Sequence, residues 1–540
     1  MSDTKKRFNR LGVMLDCSRN AVLKVSAVKN YIDLISDMGY NTLMLYTEDT
    51  FEVENNPYFG HMRGRYSFDE MREMDEYASQ KGVELIPAIQ TLAHLGPIFR
   101  WNCYSQINDC DDILMCDDER TYRLIDDMFA TIKNTLKTKT VNIGMDEAYM
   151  LGRGKYQDKN GIKNRFDILL NHLKKVAEIA DKYGFKCIMW GDMFFKLIAG
   201  ADDYYSTEND IPEEIRGMIP HNVDLIYWDY YSTETEHFKR LIERHKKIKD
   251  NIWFAGGLWT WTGYAPHNGY TIAEVKAAFE ACEDTGVKDV ILTCWGDDGA
   301  ECSRFSMLPS LYYASELAKG NNDEELIKKG FYEKFGIEFE DFMLLDMQGT
   351  PNTAALHTVN SDKYFLYNDY FLGICDSMTS EIDCNAYREL SKKLEKPASD
   401  PRYGHLFETI KALSDVLAIK SNLGLRLRTA YTEGDKVKLN LIVDDFKTLE
   451  DLLEKFYSAI RKQWNAENRS FGFEVLDIRL GGLIRRTKHC KERLVEYLSG
   501  ETEKIEELEQ PMLDLQGRAL EDSKPVLVTR WSKAVTVGYL

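Results

Sequence analysis

The sequence predicts an eight-stranded parallel β/α barrel of the TIM type, followed by a mainly α-helical C-terminal domain. Between about residues 11 and 295, eight short apolar runs alternate with amphipathic helical patterns. This alternation indicates parallel βα units, and eight units in ~285 residues match the size of a closed barrel. No GxGxxG phosphate loop follows any of the runs, which favours the barrel over an open doubly wound sheet.

The apolar runs and helical patterns give the predicted elements in chain order. Strands are predicted at 12–16, 42–46, 84–90, 141–144, 186–190, 224–230, 252–258 and 290–295. Helices are predicted at 27–38, 68–81, 121–136, 164–183 and 271–285. Several of these helices end at a glycine just before a strand, which is typical of a helix C-cap. The glycines are Gly39, Gly82, Gly184 and Gly286.

The pattern changes after Pro309, where helical and richly charged sequence continues to about residue 510. Apolar residues from Leu439 to Ile460 recur every three or four positions, which predicts a packed bundle helix rather than a coiled coil. Apolar and polar residues alternate in the segments 525–531 and 534–537, which predicts one or two short strands. We expect a catalytic barrel at 1–319 and a helical domain at 320–540, which packs on the barrel and is a possible homodimer contact.

Composition limits the partners. The 540 residues carry a formal net charge of −19, so no basic field exists to attract nucleic acid or an anionic membrane. The chain begins with polar residues, no window approaches a membrane span, and its 11 cysteines are scattered. We therefore expect a cytoplasmic protein with reduced thiols. No metal site is predicted, because His61 and His94 lack the HExxH spacing and no CxxC pair frames the cysteines.

Two acids, Asp146 and Glu147, follow the fourth predicted strand directly after Gly144 and Met145. Parallel barrels place their chemistry at the carboxyl ends of the strands, where the chain leaves the core. Adjacent carboxylates repel each other, so one of the pair is predicted to keep its proton to a higher pH, as a general acid must. The alternative is a simple turn in which Asp146 caps the next helix.

Five of the nine tryptophans lie at predicted strand ends, each near a carboxylate. A single tryptophan is usually a core residue, but five in these positions favour a ligand site. Aromatic faces stack on the C–H faces of sugars, while Asp, Arg and Tyr bind the hydroxyl groups. The sequence therefore predicts a sugar site. The tryptophans are Trp190, Trp228, Trp259, Trp261 and Trp295.

These residues resemble glycoside hydrolase family 20, the β-N-acetylhexosaminidases. The resemblance covers about residues 11–300 and rests on Asp16-Cys-Ser-Arg19, His94, Gly144-Met-Asp146-Glu147 and Trp295-Gly-Asp297. The sequence differs from the family pattern at two places. It has Asn142-Ile-Gly-Met before the two acids, where the family usually has His-x-Gly-Gly, and it has Gln90 where the third strand of the family commonly has Asp. It also starts at the barrel, without the usual preceding α/β domain, which indicates a divergent branch.

The resemblance implies removal of terminal, non-reducing, β-linked N-acetylglucosamine or N-acetylgalactosamine, with retention and without a cofactor. The substrate's own acetamido oxygen would attack the anomeric carbon and form an oxazolinium ion. Glu147 would be the acid and base, Asp146 would orient the acetamido N–H, and Tyr230 rather than Tyr231 would position its carbonyl oxygen. The remaining predicted contacts with substrate are Arg19, Glu48, His94, Trp190, Trp228, Trp259, Trp295 and Asp297.

Two other functions stay open on the sequence. One is a retaining β-glycosidase for sugars without the acetamido group, in which an enzymic carboxylate such as Asp297 is the nucleophile and Glu147 is the acid. The other is a sugar-binding barrel that has lost catalysis.

Overall fold

The computed structural model describes residues 7–198, 204–205, 212–350, 361–380, 382–526 and 531–538. Within these ranges no helix combines the length and the apolar character needed to cross a lipid bilayer. In the same ranges, no group of three or more His, Cys, Asp or Glu residues is arranged to hold a metal ion. The chain forms two compact units, which are described separately.

The first unit contains a closed barrel of eight parallel strands in sequential order, in which the last strand pairs with the first. This confirms the predicted fold class and all eight predicted strands. The strands are β1 Arg10–Asp16, β2 Thr42–Glu48, β3 Glu84–Ile89, β4 Thr140–Asn142, β5 Lys186–Trp190, β6 Val223–Trp228, β7 Ile252–Gly257 and β8 Asp289–Cys294.

Helices follow the strands as the alternation predicts, and all five predicted helices are present. Up to the end of the barrel, the helices are α1 Val25–Met38, α2 Phe68–Gln80, α3 Gly96–Phe99, α4 Glu119–Thr135, α5 Lys155–Asn160, α6 Arg165–Lys182, α7 Asp192–Ile198, α8 Thr235–Lys246, α9 Asn268–Thr285 and α10 Leu308–Ala318.

Helix ends show why the sequence encodes these elements. Ser67 and Glu70 form a capping box at the start of α2, in which each side chain accepts a hydrogen bond from the other residue's backbone N–H. Gly39 ends α1 with φ +99°, a left-handed conformation that glycine adopts without strain. The glycine therefore ends α1 just before β2 begins.

Large apolar side chains fill the barrel interior, as expected for a packed core rather than a pore. The interior cluster includes Met14, Met44, Tyr46, Ile86, Ile188, Trp190, Ile226, Trp253 and Ile291. Two further tryptophans, Trp228 and Trp295, are only partly buried against this cluster.

The second unit combines Trp259–Tyr270 and Gly296–Pro309 with Glu324–Leu540. Its helices are α11 Glu324–Phe335, α12 Phe339–Met343, α13 Ser361–Tyr367, α14 Cys384–Leu394, α15 Gly404–Lys420, α16 Leu423–Thr432, α17 Lys436–Glu467, α18 Phe473–Ser499 and α19 Trp531–Val535. The two units interleave along the chain, so their limits do not test the predicted domain boundary between residues 319 and 320. That boundary stays a prediction.

The apolar stripe from Leu439 to Ile460 is buried along α17, which packs between α15 and α18. The predicted bundle helix is thus confirmed. The predicted strand at 534–537 is wrong, because α19 covers Ala534 and Val535. Four alternating residues cannot distinguish a strand from one helical turn. Of the predicted strand at 525–531, residues 527–530 lie outside the described ranges.

Candidate active site

The chain leaves β4 through a strained turn that carries Asp146 and Glu147. Three of its residues have left-handed backbone conformations, with φ of +70° at Gly144, +68° at Met145 and +51° at Glu147. A left-handed residue other than glycine costs roughly 1–2 kcal/mol, so the surrounding contacts must hold it. Strain of this kind is concentrated at functional sites.

Side chains from neighbouring elements bind the backbone N–H groups of this turn, which the sheet leaves unpaired. The bonds run from Gly144 N to Asn142 Oδ1 at 3.0 Å, from Met145 N to Gln90 Oε1 at 3.1 Å and from Glu147 N to Asp192 Oδ2 at 3.0 Å. The turn is therefore fixed from β3, β4 and α7 together, which sets the direction of both carboxylates.

Gln90, at the end of β3, is the centre of this arrangement. Its Nε2 donates to Asp146 Oδ1 at 2.7 Å and to the Tyr46 hydroxyl at 2.8 Å. A Cβ atom added at Gly144 would lie 2.1 Å from Gln90 Oε1, so the turn needs glycine there for space as well as conformation. An amide at this position, unlike a carboxylate, gives Asp146 a donor without adding negative charge.

His94 contacts both acids of the pair. Its Nε2 lies 3.2 Å from Asp146 Oδ2 and 3.7 Å from Glu147 Oε2. The backbone N–H of His94 donates to Asp112 Oδ2 at 3.1 Å. Burial alone would lower the pKa of His94, but the Asp146 carboxylate, with Glu48, raises it to about 9. At neutral pH the ring is therefore a cation held beside the pair.

Repulsion within the pair does not keep a proton on Asp146. Burial would raise the pKa of Asp146, but His94 and the Gln90 amide hold it below its ordinary value. The pKa of Asp192 is raised to about 7 instead, first by complete burial and then by the charge of Asp146. Asp146 is thus an anion at neutral pH.

Arg19 and Glu48 form a second charged group at the ends of β1 and β2. Arg19 Nη1 lies 3.6 Å from Asp16 Oδ2 and 3.4 Å from Glu48 Oε1. The guanidinium group also lies 5.3 Å from the ring centroids of both Tyr46 and Trp295, within cation–π range. Burial raises the pKa of Glu48 to about 7, although Arg19 and His94 oppose the shift.

Aromatic side chains line the ends of β5, β6 and β8. Trp295 Nε1 donates to the Tyr230 hydroxyl at 3.0 Å, and the Tyr230 ring stacks on Trp228 with centroids 5.5 Å apart. Trp190 is fully buried, with its ring 5.9 Å from that of Trp295. Tyr231 is 43% exposed, so Tyr230 is the tyrosine held among the tryptophans.

Trp259 and Asp297 belong to the second unit. There Trp259 is buried, stacked on Trp261 at 4.5 Å and in edge contact with Tyr270 at 4.9 Å. The structure therefore brings together Arg19, Glu48, His94, Asp146, Glu147, Trp190, Trp228, Tyr230 and Trp295 within the first unit. Substrate contacts of Trp259 and Asp297 stay predictions.

Sequence reasoning missed a hydrogen-bonded chain that reaches Glu147. Tyr149 donates from its hydroxyl to Glu147 Oε1 at 2.9 Å, and Lys196 Nζ donates to the same hydroxyl oxygen at 2.5 Å. Lys196 also lies 4.0 Å from the buried Asp192. The sequence offered one signal for this hydrogen-bonded chain, which is the position of Tyr149 two residues after Glu147. Nothing in the sequence pointed to Lys196 on α7.

Two family models match the chain. "Glycosyl hydrolase family 20, catalytic domain" matches residues 8–238, and "Glycoside Hydrolase 20C C-terminal domain" matches residues 340–527. The chain belongs to glycoside hydrolase family 20. It is therefore a glycoside hydrolase, as the resemblance of its strand-end residues predicts.

Individual proteins of known name are also similar to the chain. The family-20 chain is 25% identical over 267 residues to hexosaminidase D of Bos taurus, covering 46% of this chain and 69% of that protein. It is 23% identical over 238 residues to hexosaminidase D of Homo sapiens, covering 42% and 46% of the two chains. A β-N-acetylhexosaminidase structure from Bacteroides fragilis NCTC 9343 has a TM-score of 0.48 and 18% identity, covering 62% and 72%.

The raised pKa of His94 predicts a pH-dependent contribution to the stability of the family-20 enzyme. Because the folded-state pKa is about 9 against an ordinary 6.5, the stabilisation is complete below pH 6.5 and is lost as the pH rises through 9. We expect the stability difference between the wild type and His94→Gln to shrink by up to about 3 kcal/mol between pH 6 and pH 10. Urea unfolding of both proteins measures it, and a difference independent of pH would contradict the ion pair.

Proposed function

We propose that the enzyme is an exo-acting β-N-acetylhexosaminidase that removes terminal non-reducing β-linked N-acetylglucosamine or N-acetylgalactosamine. The proposed mechanism is retaining and substrate-assisted, with the acetamido oxygen as nucleophile. The observation that carries the proposal is the pairing of an anionic Asp146, held by His94 and Gln90, with Glu147 as the next residue on a strained turn.

Asp146 has the charge state that this chemistry needs. As the acetamido oxygen attacks, positive charge develops on the acetamido nitrogen, and a fixed carboxylate beside that nitrogen stabilises it. The Gln90 amide and the His94 ring keep Asp146 ionised and oriented in a buried site. A preorganised anion costs little reorganisation during the reaction, so its effect falls on the transition state.

The aromatic group supports recognition of an acetamido substituent. An indole N–H can only donate, so the Tyr230 oxygen accepts a hydrogen bond from Trp295, and Thr293 also contacts this hydroxyl; the two contacts hold the Tyr230 hydroxyl in place among the tryptophans. Trp190 Nε1 is buried and has no hydrogen-bond partner among the described residues, so a ligand oxygen can satisfy it. Together with Trp228, these rings offer apolar faces for a methyl group.

The proposed reaction has two steps. In the first, Glu147 gives its proton to the glycosidic oxygen, the bond from that oxygen to the anomeric carbon breaks, and the acetamido oxygen bonds to that carbon. In the second, Glu147 takes a proton from water, which attacks the same carbon and reopens the oxazolinium ring. Two inversions give net retention, and the substrate supplies the nucleophile already in place.

Comparison of substrates tests this proposal. We expect kcat/KM for 4-nitrophenyl N-acetyl-β-glucosaminide to exceed that for 4-nitrophenyl β-glucoside by at least about 10³-fold, because only the former carries the nucleophile. The same measurement on 4-nitrophenyl N-acetyl-β-galactosaminide shows which configuration of the C4 hydroxyl group the enzyme prefers. Comparable activity on the plain glucoside would favour an enzymic nucleophile, and activity on neither sugar would favour a binding protein.

Tyr149 should assist Glu147 without being essential. Removing its hydroxyl in Tyr149→Phe leaves Glu147 Oε1 without the bond that fixes it, so we expect kcat to fall about three- to tenfold with little change in KM. Steady-state kinetics on the N-acetyl-β-glucosaminide measure the split, with Tyr332→Phe as a control at an exposed tyrosine on α11. An unchanged kcat would show that the contact has no role in the reaction.

A further inference from the structure

Lys196, on α7, is a mostly buried cation that takes no part in the two proposed steps. Its side chain is 16% exposed, and its Nζ donates to the Tyr149 hydroxyl at 2.5 Å. The same Nζ lies 4.0 Å from the centroid of the Tyr149 ring, within cation–π range. Two kinds of contact therefore hold the ammonium group on this tyrosine, whose hydroxyl is bonded to Glu147 Oε1.

The chemistry of the groups fixes the direction of both hydrogen bonds. An ammonium group has donors and no acceptor, so Lys196 must donate to the Tyr149 oxygen. The Tyr149 proton then forms the bond to Glu147 Oε1 at 2.9 Å. Burial, and after it the charge of Glu147, raises the pKa of Tyr149 well above its ordinary value, so the phenol keeps its proton. The chain thus passes polarisation to Glu147, and no proton.

Helix α7 supplies the cation on the face that meets the turn after β4. Asp192 and Lys196 are four residues apart, which places both side chains on one face of the helix. Asp192 Oδ2 accepts from Glu147 N at 3.0 Å, so this face binds both the backbone of Glu147 and, through Tyr149, its carboxylate. Arg165 on α6 holds the intervening segment by donating to the Tyr149 carbonyl. The fold therefore sets how close the ammonium group lies to the carboxylate.

The charge of Lys196 is not fully cancelled near neutral pH. Burial, and then the charge of Asp146, raises the pKa of Asp192 to about 7, so this neighbour, 4.0 Å from Lys196, is mostly protonated below that pH. His94 and Asp146 carry opposite charges and offset each other. Lys196 therefore adds net positive charge beside Glu147. Among the described residues, titratable groups face Glu147 from the β3 loop, the β4 turn and α7; they are His94, Asp146, Tyr149, Asp192 and Lys196.

We propose that Lys196 is a positioning residue that, through Tyr149, stabilises the carboxylate formed when Glu147 gives up its proton, and so sets the upper pH limit of hydrolysis. The assignment rests on the proposed role of Glu147 as acid and base. As the glycosidic oxygen takes the proton, negative charge appears on Glu147, and the bond from the polarised Tyr149 hydroxyl strengthens. Lys196 thereby speeds proton donation and also lowers the pH above which the acid form is lost.

The pH dependence of kcat/KM tests this assignment, because kcat/KM includes the step in which Glu147 must be protonated. Lys196→Met removes the charge and keeps an unbranched side chain. On chitobiose, we expect its kcat/KM at the optimum to fall about three- to fivefold, and the alkaline limb of its profile to move up by about 0.5–1 pH unit. The shift is modest because the Glu147 side chain is 39% exposed. Lys196→Arg, which keeps the charge, should restore the wild-type limb.

Three controls separate the charge from a structural role. On 2,4-dinitrophenyl N-acetyl-β-glucosaminide, whose leaving group needs little protonation, kcat/KM of Lys196→Met should stay within about twofold of the wild type. Lys174→Met, at an exposed position on α6, should leave the rates and the profile unchanged. In a Tyr149→Phe background, Lys196→Met should move the alkaline limb little further, because the connecting hydroxyl is absent.

Three results would overturn the assignment. The first is an alkaline limb that does not move in Lys196→Met. The second is an equal loss on chitobiose and on the dinitrophenyl substrate, which would mean that Lys196 only supports the fold. The third is a shift of full size for Lys196→Met in the Tyr149→Phe background. Failure of the wild type to hydrolyse either N-acetylglucosaminide would instead overturn the proposed function.

Discussion

Replacing Glu147 by glutamine is expected to lower kcat on chitobiose by about 10²–10⁴-fold while the fold is kept. The amide can neither protonate the glycosidic oxygen nor accept a proton from water, and a sugar alkoxide leaves poorly without that proton. The Tyr149 hydroxyl and the backbone bond to Asp192 hold this position, so a neutral side chain of the same shape should stay in place. Steady-state hydrolysis, with circular dichroism for the fold, measures the effect.

The leaving group provides the control for Glu147→Gln. A 2,4-dinitrophenolate needs little protonation, so formation of the intermediate from the dinitrophenyl N-acetyl-β-glucosaminide should be far less impaired than hydrolysis of chitobiose. Glu178→Gln, at an exposed position on α6, should leave both reactions unchanged. Chitobiose hydrolysis by Glu147→Gln within threefold of the wild type would exclude Glu147 as the acid.

Asp146→Asn should lower kcat by about 10²–10³-fold and change KM much less. The reason is that the carboxylate acts on positive charge that appears only as the acetamido oxygen attacks, whereas the ground-state amide is neutral. The substitution also removes the anion beside His94 Nε2, so the pKa of His94 should fall from about 9. Initial rates over a range of substrate concentrations separate the two kinetic constants.

Asp112→Asn is the matched control for Asp146→Asn, because Asp112 lies on the opposite side of His94, with Oδ2 3.8 Å from Nδ1. It should have a much smaller effect on kcat, since it does not face the pair. A raised KM with unchanged kcat in Asp146→Asn would make Asp146 a residue that binds the substrate only in its ground state.

The fold could be predicted because its signals are local. An apolar run marks each of the eight strands, and four of the five predicted helices end at a glycine. The left-handed φ of Gly39, Gly82, Gly184 and Gly286 bears out these predicted helix ends. The short alternation at 534–537 failed because it held too few residues to fix a period.

The site was less predictable, because its contacts form only when distant strand ends meet. The acids and most of the aromatic wall were predictable from their positions after strands. The role of Gln90 was not, since its bonds to Tyr46 and Asp146 join β2, β3 and the β4 loop. The charge states were equally hidden: repulsion alone predicted a proton on one of the pair without deciding which, and the contact with His94 that keeps Asp146 ionised forms only in the fold.

The central claim is that the substrate, not the enzyme, supplies the nucleophile, and inhibitor chemistry tests it most directly. A thiazoline analogue of N-acetylglucosamine mimics the bicyclic intermediate, so it should inhibit reversibly and at least about 10²-fold more tightly than N-acetylglucosamine. A 2-deoxy-2-fluoro glucoside with a dinitrophenyl leaving group should leave the intact mass of the enzyme unchanged, since no enzymic carboxylate attacks it. A covalent fluoro-sugar adduct with no thiazoline inhibition would contradict the substrate-assisted mechanism.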